Sequence, residues 1–173
     1  LMVLFSFCNN KNTKLKKPME NDNYSADWKV VDSLEAKGLP KSALEKVEEI
    51  YVKAGKRNNQ PQLAKCLMYR GKFMTQLEED GFVKAINQFA LDEKTAIAPM
   101  KSLIQSMLAE QYSSYLQRNR YRFGNRTETP DFKTDDIQTW TIGQLAAESR
   151  TYFLKSVEDE STKNTKIQDW FAI

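Results

Sequence analysis

Residues 34–62 read LEAKGLPKSALEKVEEIYVKAGKRNNQPQ, and this stretch decides the fold. Gly38 ends one helix, because glycine reaches the left-handed conformation that closes a helix without steric penalty. Pro40 begins the next at its first position, where the missing N–H costs nothing. Beyond it Ala43, Leu44, Val47, Ile50, Tyr51 and Ala54 recur at helical spacing, which makes a stripe on one face. Asn58-Asn59-Gln60-Pro61 repeats the stop-and-start signal, and Leu63, Ala64, Leu67, Met68 and Gly71 carry the stripe onto a third helix. Short loops lay consecutive helices antiparallel, so residues 40–78 read as a helical hairpin. Ala43, Ala54, Ala64 and Gly71 supply the small residues that let its helices approach closely.

The same pattern extends outward in both directions. Upstream, Ser25 or Asp27 is placed to cap a helix with Trp28, Val31 and Leu34 on one face. Downstream, a helix is predicted from about Phe82 to Ile97, with Val83, Ile86, Phe89 and Ala90 inward. Pro99 then starts or kinks a helix, and the strongest amphipathic run follows: Met100, Leu103, Ile104, Met107, Leu108, Gln111, Tyr112, Tyr115 and Leu116. Leu145, Ala146, Ser149, Tyr152 and Phe153 predict one more helix. No stretch alternates long enough for a strand. A hairpin cannot bury its stripe alone, so neighbours must stack. The expected fold is all-α: antiparallel helical hairpins stacked as a short tetratricopeptide-like (TPR-like) α-solenoid or an irregular helical bundle. The hairpin resembles a tetratricopeptide repeat, although its turn is longer and Glu48 stands where that repeat takes a small residue.

The chain has 173 residues, enough for one domain with a real core, and its 28% charged and 40% hydrophobic content is that of a globular chain. A net charge of +3 is too small to argue for nucleic acid. The absence of histidine removes the commonest general base and zinc ligand, and with them any Ser-His-Asp triad. There is no glycine-rich phosphate loop and no Cys-x-x-Cys pair; Cys8 and Cys66 sit in unlike contexts. Glu48-Glu49 and Glu78-Glu79-Asp80 read as solvated helix faces or ends. The expectation is a protein that is not an enzyme and carries no catalytic residues, no cofactor and no metal.

LMVLFSFC opens the chain, and the polar, Asn- and Lys-rich NNKNTKLKKPMENDN follows it. The apolar run is far short of the roughly 20 residues that span a bilayer. It fits the end of a secretory signal, and Cys8 fits the lipid-attachment site of a bacterial lipoprotein, although Phe7 precedes it where a small residue is usual. An ordinary cleaved signal, or an apolar start that docks on the domain, fits the same residues. Residues 1–25 are therefore divided off as signal remnant and flexible tether, with 26–173 as a single helical domain. The expected location is outside the cytoplasm, as a membrane-anchored lipoprotein in the periplasm or outer membrane that touches the membrane only through its lipid.

Two features suit a partner. The stretch RNRYRFGNR places Arg118, Arg120, Arg122 and Arg126 around Tyr121 and Phe123, a pattern suited to an acidic partner; it also lies at a helix end, where cations suit the dipole and the aromatics can fold onto the core. Trp140 and Trp170 flank the last helix and read either as core, since an indole buries a large area, or as a docking face toward the rest of a longer chain, which Phe171 near the end of the chain favours. Asp131, Asp135 and Asp136 with Glu128 lack the spacing of a calcium loop; Asp135 and Asp136 can cap the helix that follows.

Three segments, 34–62 as quoted above, 78–89 (EEDGFVKAINQF) and 125–140 (NRTETPDFKTDDIQTW), resemble the N-terminal helical region of large bacterial alpha-2-macroglobulin-like proteins of the cell envelope. The resemblance covers most of residues 27–157. It implies a non-catalytic spacer or interaction region ahead of β-sandwich macroglobulin domains, in a protein whose full-length form traps proteases. It also implies partners: the remaining macroglobulin-type domains, and proteases or another envelope protein. The family's thioester motif, Cys-x-Glu-Gln, has no counterpart here, since Cys66-Leu67-Met68-Tyr69 differs from it, so no trap residue carries over. On this reading residues 125–140 mark the family and are structural. The alternative is a self-contained helical-repeat adaptor that binds a peptide or protein in the envelope.

Overall fold

A computed structural model describes residues 24–123, 134–166 and 170. Its described residues form helices α1 (Tyr24–Ala36), α2 (Pro40–Lys56), α3 (Gln60–Leu77), α4 (Gly81–Thr95), α5 (Met100–Phe123), α6 (Ile142–Ser156) and the single turn α7 (Glu160–Lys163), with a 3-10 turn at Ile137–Thr139 ahead of α6. No strand occurs among them. The fold is all-α, as the periodicity requires.

The predicted punctuation sets the turns. Gly38 takes a φ of +68°, the left-handed conformation that closes α1. Asn58, at φ +50°, does the same for α2. Pro40 and Pro61 stand in the first turns of α2 and α3, and the Asn59 side chain caps α3 by accepting from the Gln62 N–H at 3.2 Å. The links 37–39, 57–59, 78–80 and 96–99 are short, so neighbouring helices run antiparallel.

Packing is mainly serial, α1 on α2, α2 on α3, α3 on α4, α4 on α5, and α5 on α6, and α3 also touches α5. The core has two clusters. Trp28 and Val31 of α1, Val47 and Ile50 of α2, and Cys66 and Phe73 of α3 form the first. Leu67 of α3, Ile86 and Phe89 of α4, Ile104, Leu108 and Tyr112 of α5, and Trp140 and Leu145 form the second. α3 contributes to both and joins them. Ala43, Ala54 and Ala64 are fully buried, as their small size predicts. At Gly71 an added Cβ would lie 2.7 Å from the Phe89 ring; at Gly81 it would lie 2.1 Å from the Met74 carbonyl oxygen. Both glycines let α3 and α4 come together.

Three sequence expectations need correction. α1 starts at Tyr24, so Asp27 lies inside its first turn and pairs with Lys46 and Lys53 of α2 (3.0 and 2.9 Å) instead of capping. Met68 was expected in the α3 stripe but is 46% exposed. With about 100° per residue, the neighbours of α3 claim the arc from Gln62 and Phe73 round through Leu67 to Ala64, and Met68 falls outside it. Phe153 was expected inward on α6 and is 44% exposed, because among the described helices α5 provides the main cover of α6 and takes the Leu145–Ser149 line.

Candidate functional site

α3 is flanked by α2 and α4, and a cleft of about 460 Å³ runs over it between them. Each helix lines the cleft with one row of side chains. Leu44, Glu48 and Tyr51 come from α2, Arg70, Met74 and Leu77 from α3, and Lys84, Gln88 and Asp92 from α4. The spacing in each row is three to four residues, so each row is one face of its helix. Glu78, just past α3, closes one end. Because α3 runs opposite to its neighbours, Tyr51, Arg70 and Asp92 meet at the other end. Leu44, Leu77 and Lys84 share the Glu78 end.

Arg70 organises the polar end. It is only 7% exposed. Its Nε and Nη2 each donate to a Glu48 carboxylate oxygen at 2.6 Å, a bidentate pair that suits the planar guanidinium. Nη1 lies 3.5 Å from Asp92 Oδ2, and the guanidinium sits 4.4 Å from the centre of the Tyr51 ring. Burial pulls the Arg70 pKa down, but the Glu48 hydrogen bonds and the charges of Glu48 and Asp92 outweigh it, and the net shift is upward. Gln88 Nε2 donates to Asp92 Oδ1 at 3.0 Å. At the far end Lys84 pairs with Glu78 and with Asp80. Both cations that line the cleft are therefore engaged, and three carboxylates stand against them.

The sequence-predicted partner residues lie elsewhere. Arg118, Arg120 and Arg122 are exposed on the last turns of α5, around a fully exposed Tyr121. Arg118 also covers the Phe82 ring at 4.8 Å, which ties it to the fold. Phe123, by contrast, is buried against Tyr115, so of the two aromatics only Phe123 joins the core. Trp170 is half-buried and packs on the second core cluster. Cys8, Arg126 and Phe171 lie outside the described residues.

Of the 125–140 segment, residues 134–140 are described and are structural in role. Trp140 is 5% exposed and stacks on Tyr112 with the rings 3° from parallel and 5.7 Å apart. Its Nε1 donates to the Thr134 carbonyl at 2.7 Å. Asp136 caps the 3-10 turn through the Gln138 N–H; α6 itself is capped by Thr141 in a capping box with Gln144. The helix cap expected of Asp135 and Asp136 thus falls on the 3-10 turn.

Cys66 is a free, buried thiol whose pKa burial pushes up to about 12, so it is not a nucleophile at neutral pH. Among the described residues no group of three His, Cys, Asp or Glu is arranged to hold a metal ion, and no helix is long and apolar enough to cross a membrane.

The cleft was missed in the sequence. Leu44 and Tyr51 looked like part of the α2 core stripe, and Glu48 like a solvated helix face and a departure from a repeat. The available signal was Arg70: a cation beside Gly71 in the middle of an apolar stripe demands a carboxylate partner.

Comparison with known protein families, with curated proteins and with solved structures gives no match to this chain.

Proposed function

We propose that this chain is a non-catalytic helical interaction and spacer domain, the N-terminal helical portion of a large bacterial alpha-2-macroglobulin-like envelope protein. In that setting Cys8 carries the lipid anchor and the full-length form traps proteases. The reading is supported by the three segments that resemble the family. In the fold they are turn-and-helix junctions: Gly38–Pro40 and Asn58–Pro61 bound α2, Gly81 permits the α3–α4 contact, and Trp140 seats the approach to α6.

The observation that carries most weight is on α6. Phe153, Leu154 and Val157, at its C-terminal end, are 44, 57 and 61% exposed, and Phe153 and Leu154 border a groove of about 280 Å³ shared with Leu116 of α5. A cluster of this kind at one end of a helix stack suits an adjoining domain of the same protein. An antibody raised against this 20.0 kDa chain, used to blot fractionated native cells, tests the reading. A band many times larger in the membrane fraction supports it; a soluble band near the size of this chain overturns it.

The second reading, a free-standing adaptor in the envelope, is favoured by a different observation: the three-helix cleft is a formed concave site of ligand-binding size.

A further inference from the structure

We propose that the cleft between α2, α3 and α4 is a binding site for a short polypeptide segment carrying a basic side chain next to apolar ones. The inference does not rest on membership of a larger envelope protein, and the blot leaves it standing either way.

The argument starts from shape. The α2 row from Leu44 to Tyr51 spans seven residues, about 10 Å at 1.5 Å per residue. An extended chain covers that length in about three residues. The volume, about 460 Å³, falls among those that enclose small ligands. A short linear segment of about three residues matches that length.

The lining then sets its chemistry. Leu44, Met74 and Leu77 give one half of the cleft an apolar floor, which suits a Leu-, Ile- or Met-like side chain. The lining as a whole is acidic in balance. Three carboxylates, Glu48, Glu78 and Asp92, line the cleft against two cations: Arg70, which is buried and engaged by Glu48 and Asp92, and Lys84, which is engaged by Glu78 and Asp80. The Glu48 side chain is 45% exposed and the Glu78 side chain 54% exposed, so both remain open to solvent and to a ligand. A Lys or Arg side chain lying along the apolar floor can set its stem on Met74 and its head group on Glu48. An acidic side chain in the same place would meet the uncompensated negative charge. The ion-pair network keeps the walls in fixed positions before any ligand arrives, which lowers the ordering cost of binding.

The test uses the intact chain against an array of capped random octapeptides at moderate ionic strength. Bound peptides are expected to be enriched in Lys or Arg within three positions of Leu, Ile or Met. Two substitutions on the α4 wall then read the site by sign. Gln88→Lys adds a cation beside Asp92 and is expected to weaken the selected peptides about tenfold; Lys84→Gln removes a cation from the rim and is expected to tighten them several-fold. A general loss of folding would weaken both, and thermal melts of the two variants identify it. The proposal is overturned if no peptide binds above background, if the bound set is acidic or indifferent to charge, or if folded Gln88→Lys protein binds the selected peptides as the parent does.

Discussion

Arg70 of α3 is locked to Glu48 of α2 by two parallel hydrogen bonds of 2.6 Å each, in an interior position where the arginine is 7% exposed and the glutamate is open to solvent on its outer side. The asymmetry sets what each substitution should do. Glu48→Ala leaves a buried guanidinium with Asp92 as its remaining carboxylate, and should cost about 1–2 kcal/mol, below the usual loss for a fully buried pair because Glu48 is half exposed. The Glu48→Ala, Arg70→Met double variant should lose less than the sum of the singles. Urea unfolding of the four proteins gives the coupling directly.

Gly81 and Gly71 should differ in tolerance although both sit at the α3–α4 contact. A methyl at Gly81 meets the backbone oxygen of Met74, which cannot move without shifting α3. A methyl at Gly71 meets the far edge of the buried Phe89 ring at 2.7 Å, and the ring must shift to admit it, but a side chain gives way more readily than backbone. Gly81→Ala is expected to destabilise by about 3 kcal/mol and Gly71→Ala by about 1–2 kcal/mol. Equal melting temperatures for the two variants would contradict the close approach at Gly81.

Asp27 should make the chain acid-sensitive. The Lys53 hydrogen bond, ahead of the one from Lys46, holds its carboxyl below the ordinary carboxylate value, against an opposing push from burial. A group whose folded pKa is depressed contributes stability above its unfolded pKa, about 3.9, and loses that contribution as the pH falls through the lower folded value. Asp27→Asn should therefore be less stable than the parent at pH 7, and the gap should narrow as the pH falls below the ordinary carboxylate pKa of about 3.9. Melting curves from pH 2 to pH 7 show whether the two converge.

Trp140 should carry the structural role of the segment before α6. Trp140→Ala removes a buried indole, its stacking on Tyr112 and its bond to Thr134, and should cost about 3–5 kcal/mol. Asp135→Asn, on the exposed side of the same segment, should change stability by less than about 0.5 kcal/mol. Added calcium should leave both melts unchanged. A calcium-dependent rise that Asp135→Asn abolishes would assign the segment to a metal instead.

Cys66 should be silent to thiol reagents. In a Cys8→Ser background, a disulfide reagent is expected to give no colour with the native protein at pH 8 and one thiol equivalent after unfolding, because burial holds the thiol protonated and out of reach. Fast reaction in the native state would mean that α3 opens.

The helices were legible because their signals are local. Gly38, Pro40, Asn58 and Pro61 act on their own backbone, and the α2 and α5 stripes follow from 100° per residue, so neither depends on distant residues. The fate of Trp140 was partly legible, since an indole in a polar stretch needs cover, but its partner Tyr112 lies 28 positions away and is set by how α5 meets α6. The cleft was not legible. Glu48, Arg70 and Asp92 come from three helices; Glu48 and Asp92 each look like an ordinary surface charge in their own segments, and Arg70 signals only that some carboxylate must meet it. Burial makes them one site: Arg70 must satisfy its donors once α2 and α4 close over α3, and only that closure decides which carboxylates it finds. Helix positions and their turns were thus determined by the chain's local chemistry. The arc that α3 buries, the exposure of Met68 and Phe153, and the charge balance of the cleft were decided by tertiary packing, because the number and placement of a helix's neighbours set the face it buries and its own periodicity does not specify them.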